Sequence, residues 1–466
     1  MSMDLRKYGP YLALALPIAA SYFGLKYAAK KFIAANVTNA SKIILTDPYD
    51  ENLWELVSAG KRSGPQTLVE NSLRAQTGKA IDRPLGSPKA FPSLDDLMFN
   101  IAQIDTLPTL QLDSIDLTTF IGKNAAKPLQ LSMPVMISAM AYGVALSEPF
   151  KIALAKGASL AGTASNTGEG PFLPKEREAA QQLILQYNRG YWNKEPEILR
   201  QANMLELQFG QGATAGTSHT LKAAEMTPTL RKRFGVEVGQ TVTAQSRIPG
   251  INSGHDLIRK IRELRKIVDG IPIGVKIGAG KYLEKDLDWI LRAEADVICI
   301  DGAEAATKGS HPILQDDFGV PTLYALARAN NYLEKTGTRK SIDLVISGGL
   351  RTPGHFLKAI ALGADAVYIG SAALFAAAGL QTWKAMPSEP PTQIAWETGK
   401  YARKFNIDQG ANSLAKFLTA VADEMKAGLQ ALGKKSLREL SKDDLMALSG
   451  EIAQAIGVIP VYAPSQ

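Results

Sequence analysis

The sequence predicts an α/β protein built on a (β/α)8 barrel, with an N-terminal membrane helix and a helical C-terminal extension. Three observations carry this. From about residue 131, short apolar runs alternate with helical stretches. The runs end in Gly, Ser, Thr, Asn or Gln, residues that turn a chain. Eight such runs fit into about 250 residues, the usual length of one barrel. A doubly wound sheet is the alternative that the same alternation allows.

Taken in order, the chain opens with 18 uncharged residues between Lys7 and Lys26, YGPYLALALPIAASYFGL. A membrane span needs about 17–25, and Pro17 is tolerated inside one. We expect a retained anchor over 8–28. A signal peptide cleaved near PIAAS and a buried helix are the alternatives. Lys26, Lys30 and Lys31 follow the span, against Arg6 and Lys7 before it, which places the body in the cytoplasm by the positive-inside rule. Residues 30–130 mix short helical patterns with turns such as RSGPQ and read as a cap that wraps the barrel.

The barrel is expected over 131–385. Its runs are MPVMISAM (133–140), ASLAGTAS (158–165), NMLELQFG (203–210), a weaker QTVTAQS (240–246), IPIGVKIG (271–278), ADVICIDG (295–302), IDLVISGG (342–349) and ADAVYIG (364–370). TPGHFLKAIALGA (352–364) is a helix between the last two, capped by Thr352, opened by Pro353 and closed by Gly363. MPSEPPTQ then breaks the pattern, and 386–466 becomes a helical extension whose main helix covers 411–433.

Composition narrows the function. The chain of 466 residues is 45% hydrophobic and 21% charged, enough for a large core. Its net charge of +7, from 52 basic and 45 acidic residues, is interspersed, without the basic run that a nucleic-acid face shows. One cysteine, Cys299, allows neither an internal disulfide nor a cysteine-ligated metal, and it reads as a buried core thiol.

In a barrel the chemistry sits at the carboxyl ends of the strands. Strand seven ends in Ser347-Gly348-Gly349 and strand eight in Gly370-Ser371. Glycines there bare backbone N–H groups beside helix N-termini, an arrangement for phosphate. No Walker loop or dinucleotide fingerprint is present, so a mononucleotide fits better than a dinucleotide. Lys276, inside an apolar strand, needs an anionic partner or a shifted pKa. It suits either the N1–C2 edge of a reduced flavin or a Schiff base. Gln208 and Gln211 offer amides to a ring edge. Glu169, Glu304, Lys308 and His311 lie on strand-end loops where they can handle protons or a carboxylate. His219 and His255 show no ligand spacing.

Together, ISAMAYGVALSEPFKIALAKGASLAGTASNTGEG, LELQFGQGATAGTSH, GVKIGAG, VISGGLRTPGHFLKAIALGADAVYIGSAAL and ALGKKSLREL resemble the FMN-binding synthase domain of glutamate synthases over about 110–450. The stand-alone members of that family are the nearest in layout. The resemblance implies a (β/α)8 barrel with FMN as cofactor. It puts Ala139 and Met140 against the flavin, Asn166 and Thr167 beside the ring or substrate, Gln208 at the pyrimidine edge and Lys276 at N1. Gly348, Gly349, Gly370 and Ser371 would hold the phosphate. Two departures stand out. The family carries iron–sulfur cysteines just after strand eight, and AAGLQTWKAMPSEPPTQIA has none. No amidotransferase domain with its N-terminal cysteine is seen, so we expect neither an internal electron relay nor an internal ammonia source. The strand-six loop, DGAEAATKGSHP, is also less glycine-rich than the family's.

The expected activity is therefore that of an oxidoreductase acting on CH–NH2 chemistry. It would reduce an imine such as 2-iminoglutarate, with Lys276, Glu169 and Glu304 as catalytic candidates. Electrons would come from NAD(P)H, a ferredoxin-like protein or a membrane quinone. A Schiff-base lyase using Lys276 and a non-catalytic flavin-binding scaffold are the alternatives. Oligomeric state is open.

Overall fold

The structure, a computed structural model, describes residues 9–305 and 307–464, with side chains from Gly24 onward apart from Ala213. It divides into two compact units, one ending at Ile81 and one starting at Asp82. The segment expected as a wrap, 30–130, spans that boundary.

In the first unit a 38-residue helix, Gly9–Thr46, precedes two shorter ones, Trp54–Ser63 and Pro65–Thr77. Gly64, at φ 76°, separates the short pair, and Pro65 supplies the φ that a helix start needs. Neither short helix buries a side chain. Among the described residues no helix is long and apolar enough to cross a membrane. The span expected at 8–28 falls mostly on Tyr8 and on side chains that lie outside the description.

The second unit holds the barrel. Its strands are β1 (Val135–Ile137), β2 (Ala164–Asn166), β3 (Gln182–Tyr187), β4 (Met204–Gln208), β5 (Ile273–Gly278), β6 (Val297–Asp301), β7 (Asp343–Ser347) and β8 (Ala366–Ile369). They pair in parallel and in sequence from β2 to β8, and β8 pairs with β1. Between β1 and β2 the ladder gives way to single links. The Thr163 hydroxyl donates to the Val135 carbonyl at 2.6 Å, and the Ser132 N–H to the Gly162 carbonyl at 2.8 Å. The result is a nearly closed barrel, as expected, and not a doubly wound sheet.

Two strands differ from expectation. β3 lies outside the eight apolar runs. The residues ahead of it, EREAAQQ, are strong helix formers, so LILQY reads as the end of a helix. QTVTAQS is no barrel strand: Val242–Ala244 pairs antiparallel with His219–Leu221, in an insertion after β4. Its alternation is that of a half-buried strand, which it is. The run 158–165 is also split, since Ala158 to Leu160 end the helix Glu148–Leu160.

Strand parity decides what enters the barrel. On β6, Val297 and Cys299 join the interior cluster, while Ile298 and Ile300 face the helices. Cys299 is the buried core thiol expected, at 1% exposure. Met136, Ala164, Ile184, Met204, Val345, Ala366 and Tyr368 fill the interior. Ile121, Leu129 and Leu131, from an antiparallel pair of short strands, join them at the amino end. Each large side chain buried there stabilises by about 1.5–3 kcal/mol. Nearer the carboxyl end the same parity carries polar residues: Asn166, Gln186, Glu206, Gln208, Lys276, Asp301 and Ser347, all buried. Outside the barrel, the 25-residue helix Ile407–Ala431 lies on Glu148–Leu160. Gly157 permits that approach, because a Cβ there would meet the Ala411 carbonyl at 2.8 Å.

Candidate functional site

Among the cavities at the carboxyl ends of the strands, two adjoin, with volumes of about 550 and 310 Å³. Both lie in the size range of small-molecule sites. They share one wall, made by Leu85, Ser138, Ala139, Gln211, Gly370 and Ser371.

Lys276, Glu304, Ser347, Gly348, Gly349 and Arg351 line the larger cavity. Gly348 and Gly349 have φ of 127° and 68°, which L side chains rarely adopt. The helix Ser371–Ala378 begins at Gly370 with no side-chain cap, so its first N–H groups are left for a ligand. A Cβ on Gly370 would meet nothing closer than 3.9 Å, which leaves open space above that turn.

Lys276 enters this cavity from β5 because its parity matches Gln208 on β4 and Cys299 on β6. Its Nζ lies 3.1 Å from Asp301 Oδ1, with 2% and 5% of the two side chains exposed. Burial alone pulls the lysine down. The carboxylates of Asp301 and Glu206 outweigh it and hold the ammonium above its ordinary value. Burial pushes the Asp301 carboxyl up, and Lys276 pulls it back. Glu206 is the anchor beneath. It accepts from Asn166 Nδ2 at 3.0 Å, Gln186 Nε2 at 2.9 Å and the Tyr368 hydroxyl at 2.9 Å. Burial, with Glu206 alongside, pushes the Tyr368 phenol well above its usual value, so it remains a donor.

The smaller cavity carries Met140, Glu169, Arg189, His219, Lys308 and His311 among its lining. Arg189 is 1% exposed. One of its nitrogens donates to the Thr217 carbonyl at 2.8 Å, and another lies 3.5 Å from Glu169 Oε2. Burial lowers the Lys308 amine, which donates to the Val144 carbonyl at 3.2 Å. His311 Nδ1 sits 2.9 Å from Asp82.

The expected site residues therefore divide. Ala139, Met140, Gln211, Lys276, Ser347, Gly348, Gly349, Gly370, Ser371, Glu169, Glu304, Lys308 and His311 converge on the two cavities. Asn166, Thr167 and Gln208 line neither. Asn166 serves Glu206 from within the barrel, and the Thr167 hydroxyl accepts from the Gln186 N–H at 3.0 Å. Gln208 donates to Gln211 at 3.4 Å, and its Oε1 is buried with no partner among the described residues. Glu304 faces the larger cavity but is committed: it accepts from the Thr322 N–H at 2.7 Å and the Thr322 hydroxyl at 2.6 Å, at the start of Thr322–Lys335. His255 packs edge-on against Trp289, away from both cavities. The loop SNTGEG owes its glycines to packing. A Cβ on Gly168 would lie 2.6 Å from Ala141 N, and one on Gly170 would lie 2.4 Å from the Tyr142 carbonyl.

Sequence reasoning missed Glu206, Asp301, Tyr368, Arg189 and Arg351. Glu206 was legible as the charge two residues before Gln208, hence on the same face. Arg189 was hidden with β3.

The residues present fit a flavin mononucleotide. The uncapped helix start and the paired glycines suit its phosphate, and the buried ammonium suits the electron-rich edge of its ring; Arg351, on the same lining, is paired with Asp95 at 3.3 Å.

Comparison with known proteins agrees with this layout. Residues 91–435 match the family model described as a conserved region in glutamate synthase. A glutamate synthase large subunit-like protein of Rhizobium meliloti (strain 1021) is 32% identical over 421 residues, covering 86% of this chain and 94% of the relative. A protein of Archaeoglobus fulgidus named archaeal glutamate synthase (NADPH) is 32% identical over 400 residues, covering 80% and 78%. Among solved structures, a flavocytochrome b2 variant overlays with a TM-score of 0.51 at 17% identity, covering 92% of this chain and 94% of that one, a likeness of fold. With three-quarters of its length inside that family model, the chain belongs to the glutamate synthase family.

Proposed function

We propose that the chain is an FMN-dependent oxidoreductase of the glutamate synthase type, reducing an imine such as the 2-iminoglutarate formed from 2-oxoglutarate and ammonia. The observation that carries this reading is the pair of cavities behind one wall. One has a buried ammonium and an anion cradle, the other has Arg189 and Lys308. FMN, when bound in the larger cavity, supplies the hydride.

The chain's own groups do the rest. Asp301 and Glu206 keep Lys276 charged, so positive potential sits beside the ring without reorganising during the reaction. Arg189 and Lys308 attract a dicarboxylate and orient its carbon toward Ala139 and Gln211. Glu169, beside Arg189, is the candidate to pass a proton to the nitrogen. Glu304 acts by setting the loop around Gly349 rather than by touching substrate. A Schiff base needs a neutral amine, so the two carboxylates around Lys276 speak against the lyase alternative.

Electrons come from outside the chain, and NADPH is the first donor to try, since it is part of several relatives' names. Attachment to a membrane through the uncharged run 8–25 belongs to the same reading, and alkaline carbonate extraction of cell membranes tests it. For the chemistry, the FMN-loaded protein is reduced anaerobically, then mixed with 2-oxoglutarate and ammonium. The reading expects one glutamate per flavin reoxidised. Reoxidation by neither this pair nor any other 2-oxo acid with ammonium would refute it.

A further inference from the structure

We propose that Leu85 is a specificity-determining residue of the imine-reducing site: it admits 2-oxo acids that are unbranched next to the reacting carbon and turns away those that carry a branch there. The proposal rests on the function proposed above and narrows its substrate class.

Position comes first. Of the six residues in the wall between the two cavities, five follow barrel strands: Ser138 and Ala139 after β1, Gln211 after β4, Gly370 and Ser371 after β8. Leu85 alone comes from the chain ahead of the barrel, and it is the largest apolar side chain of the six. The substrate carbon is directed toward Ala139 and Gln211, so the groups on the neighbouring carbon come against Leu85.

The backbone holds Leu85 there under strain. Its φ is 68°, in the left-handed region that bulky side chains rarely adopt. A strained residue persists only where its surroundings fix it. Asp316 does so from both sides. Its carboxylate accepts from Arg83 Nη1 at 2.7 Å and Nη2 at 3.0 Å, two residues before the tip, and from the Ser87 hydroxyl at 2.5 Å, two residues after. Arg83 holds the Asp316 carboxyl below its ordinary value, so the clamp stays charged at neutral pH. The Arg83 N–H donates to the Ser310 carbonyl at 2.9 Å, and the buried Gln315 donates to the Arg83 carbonyl at 2.7 Å. These bonds tie the tip to the loop that carries Lys308, one of the two cations assigned to the substrate. A side chain clamped in this way cannot swing aside, and one carbon more or less in a site that does not yield is worth about tenfold or more.

The test uses the FMN-loaded full chain, reduced anaerobically, with ammonium and either 2-oxoglutarate or 3-methyl-2-oxoglutarate as the probe pair. Leu85→Ala opens the wall. Leu85→Phe fills it, at the same backbone cost as leucine. We expect the ratio of kcat/KM, branched acid over unbranched, to rise by about tenfold or more in Leu85→Ala and to fall in Leu85→Phe. The Kd of the branched acid for the oxidised protein, read from the flavin difference spectrum, should drop in the first and rise in the second. Without FMN, Leu85→Gly should unfold at a higher guanidinium midpoint than Leu85→Ala, because glycine takes this φ freely. A ratio unchanged in both variants, or a loss that falls on the two acids alike, would overturn the proposal. So would a Leu85→Gly chain that unfolds no later than Leu85→Ala. A parent whose reduced flavin is reoxidised by no 2-oxo acid with ammonium would remove the reading above, and this proposal with it.

Discussion

Replacing Lys276 with methionine tests the electrostatic heart of the site. Methionine keeps much of the volume and removes the one charge beside Asp301. The two side chains are 2% and 5% exposed and 3.1 Å apart, so water cannot replace the ammonium. Removing one partner of such a buried pair costs about 3–5 kcal/mol when the other stays ionised. The penalty depends on pH, and its sign follows from Asp301. Burial already raises that carboxyl in the folded state, and losing Lys276 raises it further. A group raised on folding gives stability that is fully present below its unfolded value, about 3.9, and is lost as pH rises through the folded value. The variant should therefore be nearly as stable as the parent at pH 4–5 and weaker by about 3 kcal/mol or more at pH 8. Lys276 itself titrates above its ordinary value, outside that window. Guanidinium unfolding of both proteins at the two pH values measures this. Equal midpoints at pH 8, or a penalty that shrinks as pH rises, would refute the ion-pair reasoning.

Three further outcomes are expected. Gly348→Ala places a Cβ 2.3 Å from Thr322 Oγ1 at a φ of 127°, so FMN affinity should drop by about tenfold or more while the fold is retained, read by flavin fluorescence titration. Glu304→Gln weakens the cap on Thr322–Lys335 and should cost about 0.5–2 kcal/mol in unfolding, with turnover within a few fold of the parent. Arg189→Ala or Lys308→Ala should raise the KM for 2-oxoglutarate by about tenfold or more, by loss of a charge-assisted contact, with a smaller change in kcat.

Much of this was legible from the sequence because the barrel repeats. Apolar runs ending in glycine or hydroxyl residues gave β5 to β8 and with them Lys276, the paired glycines and Ser371. The register failed at β3, where local helix propensity masks a strand that only tertiary pairing reveals. That miss removed Arg189 and Gln186 from view and shifted the count until a hairpin filled the gap. The second shortfall was depth along a strand. Asn166, Thr167 and Gln208 lie at strand ends by sequence, yet Asn166 and Gln208 point into the barrel toward Glu206 and Gln211, and the Thr167 hydroxyl accepts from the Gln186 N–H of the neighbouring strand. Parity gives the direction of a side chain. Whether a ligand or another side chain meets it depends on all eight strands at once.

The most direct test of the account is the visible absorption spectrum of the purified chain, recorded before and after incubation with FMN and then after anaerobic reduction. The account predicts a flavin spectrum at about one equivalent per chain that bleaches on reduction, and a weaker FMN complex for Lys276→Met. A chain that takes up no flavin after reconstitution would contradict it, whatever else the cavities bind.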